Sequence, residues 1–290
     1  MSKFQIPKSF RYLFVLIVLS FLFSVQIFAQ TKSLVKRTTY KTEKLDFGAG
    51  GTMTLVGAPA GSVAVEGWQK NEIEISAEIE VQAETEADLA ELAKVNGFLI
   101  DNDSGHVKII TVGTHDKDYL KRTAKKFPKR LLGLPFKIDY RIKVPAYCDL
   151  EINGGRGDFS LSNVEGAMRI NFLESNSKIN LTGGDLSATF GSGNVEITVP
   201  ARSWRGRGLD VQLAGGNLNV YLQPNFNAEL NASILRTGKI ENTIKTLKPR
   251  RGSAAFTEKN IAARNGAGGA PMNFTVGDGT IKMSIGRDIS

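Results

Sequence analysis

The chain has 290 residues, of which 41% are apolar and 23% charged, with a net charge of +8. That balance excludes a disordered tail and suits a folded protein of one or two domains, long enough to bury a core. Thirty glycines against nine prolines point to many tight turns rather than proline-rich linkers.

The amino terminus reads as a targeting segment. Lys3, Lys8 and Arg11 form a basic stub, the run "YLFVLIVLSFLF" (12–23) is apolar, and "VQIFAQ" follows with Ala29 at a fitting cleavage position. Residues 1–29 are therefore expected to be a secretory signal peptide. An uncleaved membrane anchor is the alternative, because the stretch from Tyr12 to Ala29 reaches the lower end of a spanning length. No cysteine lies near Ala29, which argues against a lipid-modified terminus. Removal of residues 1–29 takes away three basic residues and no acid, leaving a net charge of +5. A moderate basic surplus on an exported chain suits anionic lipid or acidic glycan surfaces, and nucleic acid is not an expected partner.

Residues 30–44 are expected to be a linker, and 45–145 a small α+β lobe. Within it "GGTMTLVG" (50–57) and "SVAVEGWQKNEIEISAEIEVQ" (62–82) alternate as strands do. "TEADLAELAKVNG" then has helical spacing, with Thr85 as N-cap, Asp88 three residues on, and Gly97 closing the end. After "HVKIITVG" comes a basic insert, "KDYLKRTAKKFPKR" (117–130), with Leu120, Ala124 and Phe127 at helical spacing. It is expected to form a short amphipathic helix that ends before Pro128. The apolar stretch "LLGLPF" follows it.

Residues 146–290 carry a recurring unit. "GDFSL" (157–161), "SKINL" (177–181), "GDLSA" (184–188), "GNVEI" (193–197), "GNLNV" (216–220), "GKIEN" (238–242) and "GTIKM" (279–283) share one pattern. A turn residue is followed by a small polar or charged one, and then by apolar and polar side chains in alternation. Gly157, Gly184, Gly193, Gly216, Gly238 and Gly279 are expected to supply the positive φ of each turn. One strand pair with its turns spans about 20 residues and cannot bury enough apolar surface alone, so units must stack. Twelve of the eighteen asparagines fall between 153 and 242, where turns and stacked polar ladders use them. The expected fold is mostly β: a β-solenoid, or β-helix-like stack of short strands, with the small α+β lobe at its amino-terminal end. An elongated antiparallel β-sandwich is the alternative. The glycine-rich stretch "KPRRGSAAFTEKNIAARNGAGGAP" is expected to be a linker or long loop.

"SVAVEGW", the helix, "YRIKVPAYCDLEINGGRGDFSL" and the serial glycine-led strands together resemble the bacterial putative-adhesin family of exported β-strand-repeat proteins, also filed as a domain of unknown function. The closing "GAPMNFTVGDGTIKMSI" looks like that family's last strands, and the resemblance covers roughly residues 45–286. It implies a surface or envelope protein that adheres or scaffolds. The basic insert and the glycine-rich carboxyl-terminal loop depart from the family's pattern.

Few motifs carry chemistry. Arg156-Gly157-Asp158 spells RGD, but Gly157-Asp158 fills the slot of Gly184-Asp185 and Gly193-Asn194, so a turn accounts for it. "GGRGDF" nearly matches the calcium nonapeptide, with Asp158 one residue early and hence on the wrong face. His106 and His115 lack partners at metal-ligand spacing, and no nucleophile elbow or phosphate loop occurs. The sole cysteine, Cys148, is expected to be a buried structural residue. The residues describe a non-enzymatic protein with no cofactor and no metal site. Lys121, Arg122, Lys125, Lys126, Lys129 and Arg130 form the one concentrated candidate site, a contact for an anionic surface into which Leu120 and Phe127 would dip. The bland alternative is a solvated loop.

The expectation is thus an exported binding or scaffolding protein in the periplasm, on the outer surface or outside the cell. Its partner would be an envelope component: a glycan, an anionic lipid surface or a protein. An anchored regulatory or sensing protein and, more weakly, a carbohydrate-active enzyme are the rivals.

Overall fold

A computed structural model describes residues 33–200, 205–224, 226–250, 252 and 255–286. The expected signal segment and its Ala29 cleavage position lie outside these residues. Among the described residues no helix is long and apolar enough to cross a membrane.

The first strands are β1 (Val35–Asp46), β2 (Thr52–Ala60), β3 (Val63–Trp68) and β4 (Glu72–Ala83), followed by helix α1 (Glu86–Val95). Then come β5 (Gly97–Asp103), β6 (His106–Val112), helix α2 (Lys117–Thr123), a 3-10 turn at Lys129–Leu131 and β7 (Phe136–Pro145). The repeat region holds β8 (Asp149–Arg156), β9 (Phe159–Ser162), β10 (Ala167–Glu174), β11 (Ser177–Asn180), β12 (Gly183–Val199) and β13 (Arg205–Leu222). The chain closes with β14 (Ala228–Ile234), β15 (Gly238–Asn242), β16 (Lys248–Pro249), β17 (Asn260–Asn265) and β18 (Ala270–Ile285). The protein is mostly β, and these strands join into one curled, open sheet of 18 strands.

Two runs of parallel pairing make up the centre of that sheet. One follows β2, β8, β10 and the first halves of β12, β13 and β18. The other follows β7, β3, β9, β11 and the second halves of the same three long strands. The register is constant: Leu150 faces Met168, which faces Leu186, which faces Leu209, which faces Met272. All five are buried. Equivalent residues on β8, β10 and β12 stand 18 positions apart, with longer steps of 23 from β12 to β13 (Leu186 to Leu209), 63 from β13 to β18 (Leu209 to Met272) and 42 between β14 and β18 where the chain makes excursions. Parallel strands stacked around an interior bury their inward side chains, and those residues are almost all aliphatic or aromatic. Phe159, Phe172 and Phe190 stack through the interior at centroid distances of 5.1 and 6.4 Å. The antiparallel pairing that a sandwich requires is confined to the ends, at β1–β4–β7, β5–β6 and β14–β17–β16.

The six glycines picked out in the repeats all have positive φ, from 83° at Gly184 to 149° at Gly157. Five of them, with Gly61, lie where the chain passes from one run to the other. At Gly216 (φ 131°) an added Cβ would run into the Gly193 carbonyl oxygen of the neighbouring strand. Glycine is demanded there by backbone geometry and by close approach together.

Beside each of these glycines stands a polar residue, and these stack as well. Asn176 donates to Asp158 at 3.4 Å, Asn194 to Asn176 at 3.2 Å and Asn217 to Asn194 at 2.9 Å. Three of the asparagines thus form a hydrogen-bonded ladder, and Asn171–Asn153 and Asn231–Asn273 pair across neighbouring strands elsewhere.

Several expectations are corrected. Residues 35–44, read as linker, belong to an edge strand, Val35–Asp46, paired with β4 from Val35↔Ala83 to Asp46↔Glu72. It buries neither face fully, so it lacks the apolar alternation that marks a strand. The boundary drawn at 145/146 crosses continuous pairing, because β2 and β3 pair with β8 and β9. Residues 35–290 form one compact unit. The stretch read as a glycine-rich loop contains β16 and β17, paired antiparallel. Helix α1 has Thr85 as N-cap, as expected, but Asn96 ends it and Gly97 already belongs to β5.

Candidate functional site

The basic insert packs on α1. Thr85 Oγ1 accepts from the Asp88 amide at 3.1 Å, which places Asp88, largely buried, in the first turn of the helix. Arg130 grips the Asp88 carboxylate with both guanidinium nitrogens, at 2.7 and 2.6 Å. The hydrogen bond from Arg130 holds the Asp88 carboxyl below its ordinary value. Beneath this fork Leu131 is buried against Val81, Ala83, Leu89 and Leu92, with Phe127 and Leu134 packed beside it. A paired fork over a small apolar cluster therefore holds the lobe on the helix.

Helix α2 starts at its N-cap Asp116, which accepts from the amides of Asp118 and Tyr119 at 3.0 and 2.9 Å. It stops at Thr123, short of the length its apolar spacing suggests. The Thr123 hydroxyl donates back to the Tyr119 carbonyl at 2.8 Å, and Pro128 keeps the residue before it out of helical conformation.

The six candidate cations differ in what they have left to offer. Arg130 is engaged with Asp88, and Lys121 lies 3.1 Å from Asp118 in an exposed pair. Arg122, Lys125, Lys126 and Lys129 are exposed and have no acidic partner among the described residues. Leu120 and Phe127, expected to dip outward, face inward: Leu120 is 6% exposed and Phe127 belongs to the cluster under Arg130. The apolar side chain that does point out is Leu132, 40% exposed in the adjoining loop. Sequence spacing put Leu120 and Phe127 on one apolar face; burial shows that this face is turned to the protein.

The other singled-out residues have structural occupations. In the RGD turn Arg156 pairs with Glu174 at 3.3 Å, the Gly157 amide donates to the Glu174 carbonyl, and Asp158 sits in the polar ladder. His106 Nε2 is 2.8 Å from Thr54 Oγ1 on the outer face of the sheet. His115 stacks on Phe136 at 5.5 Å, and burial lowers its pKa from the ordinary histidine value, against the pull of Asp116. Cys148 is 1% exposed, and burial pushes its thiol up to about 12. Among the described residues no group of three or more histidines, cysteines or acids is placed to hold a metal ion.

No family model and no curated protein matches the sequence. Solved structures that this chain is similar to include a putative cell adhesion protein from Clostridium sporogenes, at 11% identity and TM-score 0.38, covering 85% of this chain and 99% of that one. A putative adhesin from Bacteroides fragilis follows at 11% identity and TM-score 0.33, covering 88% and 98%. A protein described as a putative lipid binding protein, from Parabacteroides distasonis, has 13% identity and TM-score 0.32, covering 84% and 96%. The second carries the same label as the family that the sequence resembles, and the first is described as a cell adhesion protein.

Proposed function

We propose that this is an exported envelope or surface protein that binds and scaffolds and has no catalytic role, with its fold read as a two-faced parallel β-solenoid. The in-register parallel stacking, with 18-residue steps from β8 to β12, supports the solenoid reading. Stacked strands make a rigid platform, and the lobe on α1 presents its free charges from one end of the chain's sheet.

One observation carries the functional reading. Arg122, Lys125, Lys126 and Lys129 project unpaired beside exposed Leu132, on a lobe fixed by the Arg130–Asp88 fork. Four cations without acids attract an anionic surface, and an exposed leucine among them suits shallow entry into a lipid interface. Lys121 and Arg130 belong to the lobe's own structure more than to the contact.

The test is co-sedimentation with vesicles of mixed anionic and zwitterionic phospholipid at physiological salt. Reversing Arg122, Lys125, Lys126 and Lys129 to glutamate should abolish sedimentation while the thermal unfolding curve stays unchanged. Equal sedimentation of wild type and variant would refute the reading.

A further inference from the structure

A second site lies away from the basic lobe, on the outer face of four adjacent strands. Tyr40 on β1, Glu78 on β4 and Asp139 on β7 stand opposite one another across the sheet. One step along the strands Thr42, Ser76, Arg141 and Ala64 form a parallel row across β1, β4, β7 and β3. Between the rows is a depression of about 180 Å³, where the small Ala64 and Ser62 leave room that larger side chains would fill.

The polar groups around it divide into fixed and free. Asp139 accepts from the Ser62 amide at 2.6 Å, from the Ser62 hydroxyl at 2.8 Å and from Lys137 at 2.8 Å, so its carboxylate cannot swing away. Thr42 and Ser76 pair their hydroxyls at 3.3 Å. The side chains of Glu78 and Arg141 make no hydrogen bond or ion pair among the described residues, and Tyr40 is 76% exposed at the edge of the depression. An exposed aromatic side chain beside one fixed carboxylate, paired hydroxyls, and a carboxylate and guanidinium left free to engage a ligand suits binding more than packing.

The charges choose the ligand class. Glu78 and Asp139 are balanced by Lys137 and Arg141, so the site has no net charge and gives no advantage to a polyanion. The alternating hydroxyl-directed donors and acceptors match a polyhydroxylated ring, and Tyr40 offers a face for its C–H side. We propose that this depression binds one pyranose unit of a neutral glycan, entering against Tyr40 and hydrogen-bonding to Glu78, Asp139 and Arg141. The inference rests on the reading of the protein as a binding module but not on the basic lobe.

An array of neutral hexose and N-acetylhexosamine oligosaccharides, with acidic polysaccharides alongside, tests it, followed by calorimetric titration of the best neutral binder. Wild type should bind a neutral oligosaccharide. Tyr40→Ala should weaken it about tenfold or more, and Arg141→Ala should weaken it too. The fourfold charge reversal of the lobe should leave it unchanged. Tyr40 is exposed, so its variant should keep the wild-type unfolding curve. Absence of neutral glycan binding in wild type overturns the proposal, as does neutral binding that survives both Tyr40→Ala and Arg141→Ala. Vesicle binding that persists in either case would leave the anionic-surface reading standing.

Discussion

Between β8 and β13 a residue's surroundings are set by its equivalents one strand away, whereas between β6 and β7 they are set by a few contacts with α1. In the ladder Leu150, Met168 and Leu186 share one buried column, Asp158, Asn176 and Asn194 share one exposed column, and Gly193 and Gly216 share a third. A substitution there meets the same chemistry above and below, so its cost passes to both neighbours. The lobe has no such repetition. It depends on the Arg130–Asp88 fork and on Leu131, and Arg122, Lys125, Lys126 and Lys129 are free of ion pairs among the described residues. Stacking thus makes a region stiff and chemically uniform, while an insertion held at two points can carry a distinct surface at little cost to the fold.

The sharpest way to break this contrast is a glycine. Gly216→Val should destabilise by more than about 4 kcal/mol, since it combines a forbidden φ with a backbone clash. Gly133→Ala in the lobe loop has open space around it and should change stability by less than about 0.5 kcal/mol. Urea unfolding of the pair measures both. Phe190→Ala, which removes one end of the aromatic stack from the buried interior, should cost about 3–5 kcal/mol in the same assay.

In the lobe the informative change is Arg130→Gln. It should leave the urea midpoint nearly in place but expose residues 117–135 to limited proteolysis, with the sheet intact. General unfolding of that variant would mean that the lobe is part of the cooperative core. A smaller effect concerns pH. Hydrogen bonds from Arg236 and Thr237 hold the Asp278 carboxyl at about 2, against 3.8 ordinarily. A carboxylate with a depressed folded value contributes stability that is fully present above the unfolded value and is lost as pH falls toward the folded one. Wild type should therefore lose stability progressively from about pH 4 to about pH 2, and Asp278→Asn should flatten the most acidic part of that decline.

Much of the ladder was legible because turn chemistry and alternation are local. Gly157, Gly193 and Gly216 each precede a residue that starts an apolar–polar alternation, and Thr85 precedes a helical spacing. Cys148 likewise sat in an apolar stretch that pointed to burial. What stayed hidden depends on distance in the chain. Asp88 and Arg130 lie 42 residues apart, so the fork that removes Arg130 from the free charges left no local mark. The depression beside Tyr40 draws on residues 40, 62, 78, 139 and 141, joined only by strand register. Its one local hint was a tyrosine in the Thr- and Lys-rich segment taken for a linker. β1 itself was missed because an edge strand exposed on both sides needs no apolar alternation.

Hydrogen–deuterium exchange of the intact protein, with and without anionic vesicles, tests the central claim most directly. The account predicts slowed exchange in residues 117–135 on vesicle binding, with β9 to β13 unchanged. Protection spread over the polar strand faces of β9 to β13, with the lobe unaffected, would contradict it.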